Sequence, residues 1–337
     1  MHRKVMCFGE LLLRFSPQAN GEWLQQNNIK VFAGGAELNV ANALTNWNIP
    51  VKYFTALPDN YMSDDILLDL QKRKIDVSAI QKSGNRIGTY YLQQGKDLKH
   101  AAVIYDRASS SFASLKPGTM DWEKILEGVA WFHFSAICPA LSEDTAVICR
   151  EVLKEAERKG ITISIDLNYR AKLWQYGKQP QQVMPGLAAY ATVIMGNIWA
   201  ANTLLGLPVD KDIHDKKDKQ AYLDHAAKTS IALMEKFPQC HTVANTFRFD
   251  GAGGAIHYYA TLYANGQLFS SAEYSCSQVI DKIGSGDCFM AGLIYGLYNE
   301  HAAQDIINFS TAAAFGKLQE TGDATQQTIE QVKQLIH

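Results

Sequence analysis

Asp281-Lys-Ile-Gly-Ser-Gly-Asp-Cys-Phe-Met-Ala-Gly292 is the stretch whose reading decides the fold. A β-rich run, 272–280, leads into Gly284, Ser285 and Gly286, three small residues that turn tightly at little steric cost. The acid Asp287 follows at once, and an apolar helical pattern then begins at Phe289, Leu293, Ile294 and Leu297. Such an order aims backbone N–H groups and the positive end of a helix at one point, where an anion can sit. A carboxylate beside an anion hole suits the removal of a proton from a hydroxyl that attacks a phosphate. The plainer alternative is a helix N-terminus with glycine turns and an Asp near the cap. These few residues do not choose between the two.

The stretch resembles the second signature of the ribokinase-like (PfkB) carbohydrate kinases, Asp-Thr-x-Gly-Ala-Gly-Asp-x-Phe-x-Ala-Gly. Gly284, Gly286, Asp287, Phe289, Ala291 and Gly292 match it, while Lys282 stands for the usual Thr and Ser285 for the usual Ala. The first signature has its counterpart near the N-terminus, Gly34-Gly35-Ala36-Glu37-Leu38-Asn39-Val40-Ala41. Two signatures in the right order and separation are far more specific than either alone, and the resemblance runs over essentially the whole chain. It implies one ribokinase-like α/β domain over residues 1–337, a three-layer α/β/α arrangement around a mainly parallel sheet. It also implies a small, non-contiguous β-sheet lid, formed by about 14–34 and 87–112. ATP with Mg²⁺ is the implied cofactor, and whether a monovalent cation assists stays open. By the same resemblance, the 284–287 loop holds the phosphates of the transition state and Asp287 deprotonates the acceptor hydroxyl. Asp287, Gly284, Ser285 and Gly286 are therefore the expected catalytic group. With an ordinary pKa, Asp287 would be ionised at pH 7 and able to act as base once a closed lid strips water from the site.

The composition is compatible with this. Apolar residues make up 47% of the 337-residue chain and charged residues 20%, ordinary for a globular protein. A formal net charge of −2 without charge blocks offers no footprint for nucleic acid or an anionic membrane. No segment approaches the ~20 apolar residues of a membrane span. The six cysteines are scattered, without a CxxC pair, and several sit in apolar runs. They read as reduced core residues of a cytoplasmic protein and make a zinc site unexpected.

Strand and helix patterns alternate. Strands are expected at 5–8, 51–56, 129–137, 161–167 and 192–195, and helices at 36–46 and 63–73. A further amphipathic helix is expected over 142–158, with Ser142 as its cap and Gly160 as its stop. The βαβα order argues for a parallel sheet covered by helices on both faces. Two stretches break the rhythm, 22–33 and 88–107; both are β-rich without room for crossover helices, and they are where the lid belongs. Asn265-Gly266, between 258–264 and 267–270, is a strong hairpin signal. Gly251-Ala-Gly-Gly254 reads as a flexible loop rather than a nucleotide loop, since no Lys-Ser/Thr follows. There is no Walker A sequence and no GxGxxG opening a helix after the first strand, which disfavours a Rossmann oxidoreductase.

The substrate is read from local features. Gly34 and Gly35 let the backbone approach a sugar closely, and the Asn39 amide can donate and accept; the alternative is a strand-to-helix turn with an inward Asn. Gly9-Glu-Leu-Leu-Leu-Arg-Phe-Ser-Pro17 resembles the Gly-Glu-x-x-x-Arg-x-Ser-Pro start of the 2-keto-3-deoxygluconate kinases within the family. Tyr90 and Tyr105-Asp-Arg107 match their lid positions, and Asp166-Leu-Asn-Tyr-Arg170-Ala-Lys-Leu-Trp174 their Asp-x-Asn-Tyr-Arg-x-x-Leu-Trp segment. The resemblance makes Tyr90, Tyr105, Arg107, Arg170 and Asp323 contacts of an acid sugar, phosphorylated at its 6-hydroxyl. Arginine suits a carboxylate because its planar fork donates two parallel hydrogen bonds. Structural ion pairing for the two arginines, and a turn Asp after a helix for Asp323, are the alternatives. Asn168, Asn197, Gly284 and Gly286 are expected on the nucleotide side. The family's Asn-x-x-Glu element, which helps place Mg²⁺, appears as Asn197-Ile-Trp-Ala200, without the acid, so no metal ligand is assigned. Other readings stay open: a fructokinase or ribokinase, or a non-catalytic sugar sensor on the kinase fold. A homodimer through the lid is the expected assembly.

Overall fold

The computed structural model describes residues 3–17, 23, 28–93, 103–213, 218–251 and 255–336. Among these the strands, numbered in chain order, are β1 Lys4–Phe8, β2 Leu12–Ser16, β3 Lys30–Gly34, β4 Val51–Phe54, β5 Ala56–Leu57, β6 Ile75–Asp76, β7 Gln81–Lys82, β8 Gly88–Tyr91, β9 Ile104–Asp106, β10 Val129–Ser135, β11 Thr162–Asp166, β12 Val193–Gly196, β13 Thr242–Asp250, β14 Ile256–Ala264, β15 Gln267–Ser270 and β16 Tyr274–Cys276. The main sheet runs β15-β14-β13-β12-β11-β10-β1-β4-β6, with β16 on β14. Pairing is parallel from β6 through β13 and antiparallel beyond it.

Its central strands are mostly apolar and buried along nearly their whole length because both faces are covered. Val5 and Cys7 pack on one side with Leu38, Phe289 and Ala313, from helices Ala36–Asn46, Ser285–Tyr298 and Ala303–Lys317. Met6 and Phe8 pack on the other with Val152, Leu187 and Leu204, from helices Glu143–Arg158, Pro180–Ala188 and Ile198–Leu205. Alternate residues of one strand thus feed two separate cores, the expected three layers. Ser142 caps its helix in a reciprocal pair with Thr145, and Gly160 stops it at φ 64°. Asn265 and Gly266 both adopt positive φ, 52° and 75°, as a two-residue hairpin turn requires.

β3-β2-β8-β9 forms a separate four-stranded sheet. It begins at Leu12, two residues before the expected lid boundary, since β2 pairs with β3 on one side and β8 on the other. Several expected elements shift. The helix expected near Phe289 starts at Ser285, so Asp287 lies inside its first turn. The β-rich run 272–280 yields only β16; from Ile280 its N–H groups turn to the Leu318 carbonyl instead of a ladder. The strand expected over 51–56 divides at Thr55, because Ala56 and Leu57 leave the sheet to pair with β7. The helix expected from 63 starts at Tyr61, capped by the Asn60 side chain. Residues 18–22, 24–27, 94–102 and 252–254 of the expected lid and loop segments lie outside the described residues.

Candidate active site

The parallel sheet points the C-terminal ends of β1, β10, β11 and β12 at one edge, where α/β sheets bind ligands. From these ends issue Glu10, Ile137, Asp166 with the segment to Arg170, and Asn197. Here the main domain and the small sheet enclose a cleft of about 580 Å³. It brings together Gly35, Asn39, Tyr90, Tyr105, Arg107, Asn168, Arg170, Asn197, the 284–287 loop and Asp323. Gly34 lies just outside the lining, tight against Asp323: a Cβ there would sit 2.2 Å from Oδ2.

Gly284 opens the helix Ser285–Tyr298 with φ 77°. A Cβ on it would meet the Asp323 carbonyl oxygen at 1.9 Å, so both backbone conformation and space demand glycine. Gly286 faces open space instead, nothing lying within 4 Å of its would-be Cβ. The Ser285 hydroxyl donates to the Ala314 carbonyl at 2.9 Å, which leaves its backbone N–H as the group it can offer an anion. Asp287 is 9% exposed and accepts a 2.7 Å hydrogen bond from Asn39 Nδ2. Burial pushes its pKa up to about 7, against the pull of Asn39 and Arg170. The ordinary carboxylate pKa expected from the sequence is therefore corrected: a buried acid pays for desolvation of its charged form. Asn39 Oδ1 is buried and, among the described residues, without a hydrogen-bond partner, an acceptor at a cleft that should bring a donor.

The substrate candidates Tyr90, Arg107, Arg170 and Asp323 differ in how they are held. Tyr90 donates to Asp323 Oδ2, and Asp323 is also in ion-pair contact with Arg14 Nε at 2.8 Å. Arg107 donates through Nε, at 2.8 Å, and through Nη2 to Glu10, whose other oxygen accepts from Ser110. Structural pairing, the alternative weighed from sequence, thus describes Arg107 here, although it still borders the cleft. Arg170 donates from Nη1 to its neighbour's carbonyl, Tyr169 O, at 3.2 Å; among the described residues no carboxylate forms an ion pair with it.

Other residues of the site were not singled out in the sequence. Asp166, at the end of β11, is 6% exposed, and burial followed by Asp287 raises its pKa well above the usual carboxylate range. Arg14, fully buried, bonds Asp281 Oδ2 at 2.7 Å and lies over the Phe32 ring at 4.6 Å. Both stand inside segments quoted for the resemblance, Arg14 in the Gly9 to Pro17 start and Asp166 before Arg170, and a search for buried charge in those segments would have found them. Lys282, in place of the usual Thr, reaches Asp250 at 3.0 Å. Asn197 caps the helix Ile198–Leu205, its Oδ1 accepting from the Ala200 N–H at 2.8 Å. Its Nδ2 and the second lone pair of Oδ1 remain for a ligand. Among the described residues no group of three or more His, Cys, Asp or Glu could hold a metal by itself. The oxygens of Asp166 and Asn168 suit a Mg²⁺ that arrives on phosphates and keeps most of its waters. Among the described residues no helix is long and apolar enough to cross a membrane.

Comparison with known proteins agrees with the fold. The sequence profile described as pfkB family carbohydrate kinase matches residues 2–330. A solved structure of 2-dehydro-3-deoxygluconokinase from Thermotoga maritima is 34% identical, with a TM-score of 0.90 over 100% of this chain and 98% of that one. The 2-dehydro-3-deoxygalactonokinase of Haloferax volcanii is 26% identical, across 100% of this chain and 97% of that protein. The 2-dehydro-3-deoxygluconokinase of Bacillus subtilis is 24% identical, across 96% and 92%.

Proposed function

The chain belongs to the pfkB family of carbohydrate kinases, and we propose that within it the protein transfers the γ-phosphoryl group of ATP to the 6-hydroxyl of 2-keto-3-deoxygluconate (2-dehydro-3-deoxygluconate). Arg170 carries this reading: a guanidinium borders the cleft with no carboxylate partner among the described residues, beside the acid at the helix start. A substrate that brings its own carboxylate gives it a direct ion-pair partner, whereas with a neutral sugar it has only the longer-range pull of Asp287 and Asp166. The similarity to kinases of 2-keto-3-deoxy sugar acids points the same way.

ATP supplies the phosphoryl group, and Mg²⁺ neutralises charge on its phosphates. Asp287 takes the proton of the 6-hydroxyl as that oxygen bonds to phosphorus and the bond to the leaving phosphate breaks. Asn39 holds the Asp287 carboxylate in place through Nδ2 and offers Oδ1 to a substrate hydroxyl. The backbone N–H groups at Gly284, Ser285 and Gly286 face the charge that develops on the transferring group. Asn168 and Asn197 stand on the nucleotide side, and the small sheet, carrying Tyr90, Tyr105 and Arg107, acts as the lid that excludes water. Tyr90 and Asp323 act as one hydrogen-bonded unit against the sugar.

An ATP-consumption assay over acid and neutral sugars, with ³¹P NMR of the product, tests this. A 6-phosphate formed from 2-keto-3-deoxygluconate is expected. The 26% identity to a 2-dehydro-3-deoxygalactonokinase makes the galacto epimer the second substrate to try. Faster turnover of fructose or ribose would make the protein another sugar kinase of the family, and no turnover of any sugar would favour a binding role.

A further inference from the structure

Lys317 ends the helix Ala303–Lys317 and is 0% exposed. Among the described residues no carboxylate lies in ion-pair contact with its ammonium, which meets main-chain oxygens instead. Nζ donates to the Gly322 carbonyl at 2.8 Å and reaches the Glu320 carbonyl at 3.4 Å. Its stem abuts the anion loop: Cε lies 3.4 Å from where a Cβ on Gly284 would be. The two loops that shape the floor of the cleft converge here. The Ile280 N–H donates to the Leu318 carbonyl at 2.9 Å, and the Gly322 N–H approaches Asp281 Oδ2 at 3.4 Å. Asp281 and Asp323, 0% and 2% exposed, surround the ammonium with negative charge at longer range.

A compact monovalent cation held by main-chain carbonyls at a helix C-terminus is the coordination that suits K⁺ as well as ammonium. A solvated surface role is excluded by burial, and a simple ion pair by the carbonyl partners. We propose that the Lys317 ammonium is a built-in monovalent cation behind the anion loop. It joins the turn after its own helix to Gly284 and keeps the 284–287 amides aimed at the phosphoryl group. The protein consequently needs no added K⁺ or NH₄⁺. Lys317 is a positioning residue, since it acts through Gly284 and Asp323 rather than on the substrate.

This rests on the kinase reading for its activity arm, and a stability arm separates the two. The wild type is assayed at constant ionic strength in K⁺, NH₄⁺ and tetramethylammonium salts, beside Lys317→Ala. Wild-type kcat should be the same in all three. In tetramethylammonium the variant should lose about tenfold in kcat, less than the 10²–10³ of a directly removed anion-hole donor. K⁺, NH₄⁺ or methylamine should restore most of it, with KM for the sugar moving less than about threefold. The variant's melting temperature should rise with K⁺ but not with tetramethylammonium, while the wild type responds to neither beyond ionic strength. The K⁺-specific rise is expected even if no sugar is phosphorylated. Lys317→Met keeps the stem's volume and replaces the alanine variant if that fails to fold. If neither folds, a flat wild-type response supports the proposal. A wild type that requires K⁺, or a folded variant that is fully active without it or deaf to every small cation, overturns it.

Discussion

Asp287 is costly to ionise where it stands. Its pKa near 7 means the folded state holds a proton that the unfolded carboxyl gives up near pH 4. Its contribution to stability is full below pH 4 and is lost as pH rises through about 7. Asp287→Asn should therefore raise the melting temperature at pH 8 and change it little at pH 5, while lowering kcat by roughly 10²–10⁴, the worth of a positioned base. In the wild type kcat should climb with pH through about 7 as the base ionises. A destabilised but active Asn variant would place the base elsewhere. The arginines part company at this scale too. Arg107→Ala strands the buried Glu10 carboxylate and should cost about 3–5 kcal/mol of stability by chemical denaturation. Arg107→Leu with Glu10→Leu, which removes both charges, should recover much of that. An Arg107→Ala protein of unchanged stability would show that the pair contributes nothing.

The helix Ser285–Tyr298 and its leading turn make the next prediction. Gly284→Ala meets both a left-handed backbone and a carbonyl at 1.9 Å, so the turn cannot form without moving Asp323. Activity should fall by more than about 10²-fold, with loss of stability, as expected when anion-hole donors are displaced. Gly286→Ala has open space and helical backbone, and should fold as well as the wild type by circular dichroism and melting. Equal damage at both positions would mean the glycines matter for flexibility rather than geometry. Elements were legible where the pattern is local. The Ser142 cap, the Gly160 stop and the Asn265-Gly266 turn needed only nearest neighbours. What stayed hidden was long-range: the departure of Ala56 to β7, the early start of β2, and the release of 277–280 from the sheet depend on partners far along the chain. The same holds for the site. Asp287 and Asn39 were legible as signature residues, whereas Arg14 reaching Asp281 across 267 positions, or Glu10 claiming Arg107 across 97, leaves no local mark.

Across the whole molecule, the small sheet is tied to the floor of the candidate site by charge as well as by packing. Leu12, Tyr90 and Val103 bury Ile283, the residue before the anion loop, while Arg14 of the same sheet holds Asp281 and contacts Asp323. In the proposed function, the sheet that would enclose the sugar and the loop that would receive the phosphate are thus one continuous structure. The central claim is that this structure selects an acid sugar through Arg170. The measurement is the ratio of kcat/KM for 2-keto-3-deoxygluconate over fructose, in the wild type and in Arg170→Ala. With Arg107 engaged by Glu10, one charge-assisted contact of about 1.5–3 kcal/mol gives a wild-type preference on the order of 10–10² from this residue. That preference should collapse in the alanine variant and be restored only in part by lysine, whose point charge lacks the two-pronged geometry. A wild type that uses fructose as well as the acid sugar, or a preference unchanged in Arg170→Ala, would contradict the claim.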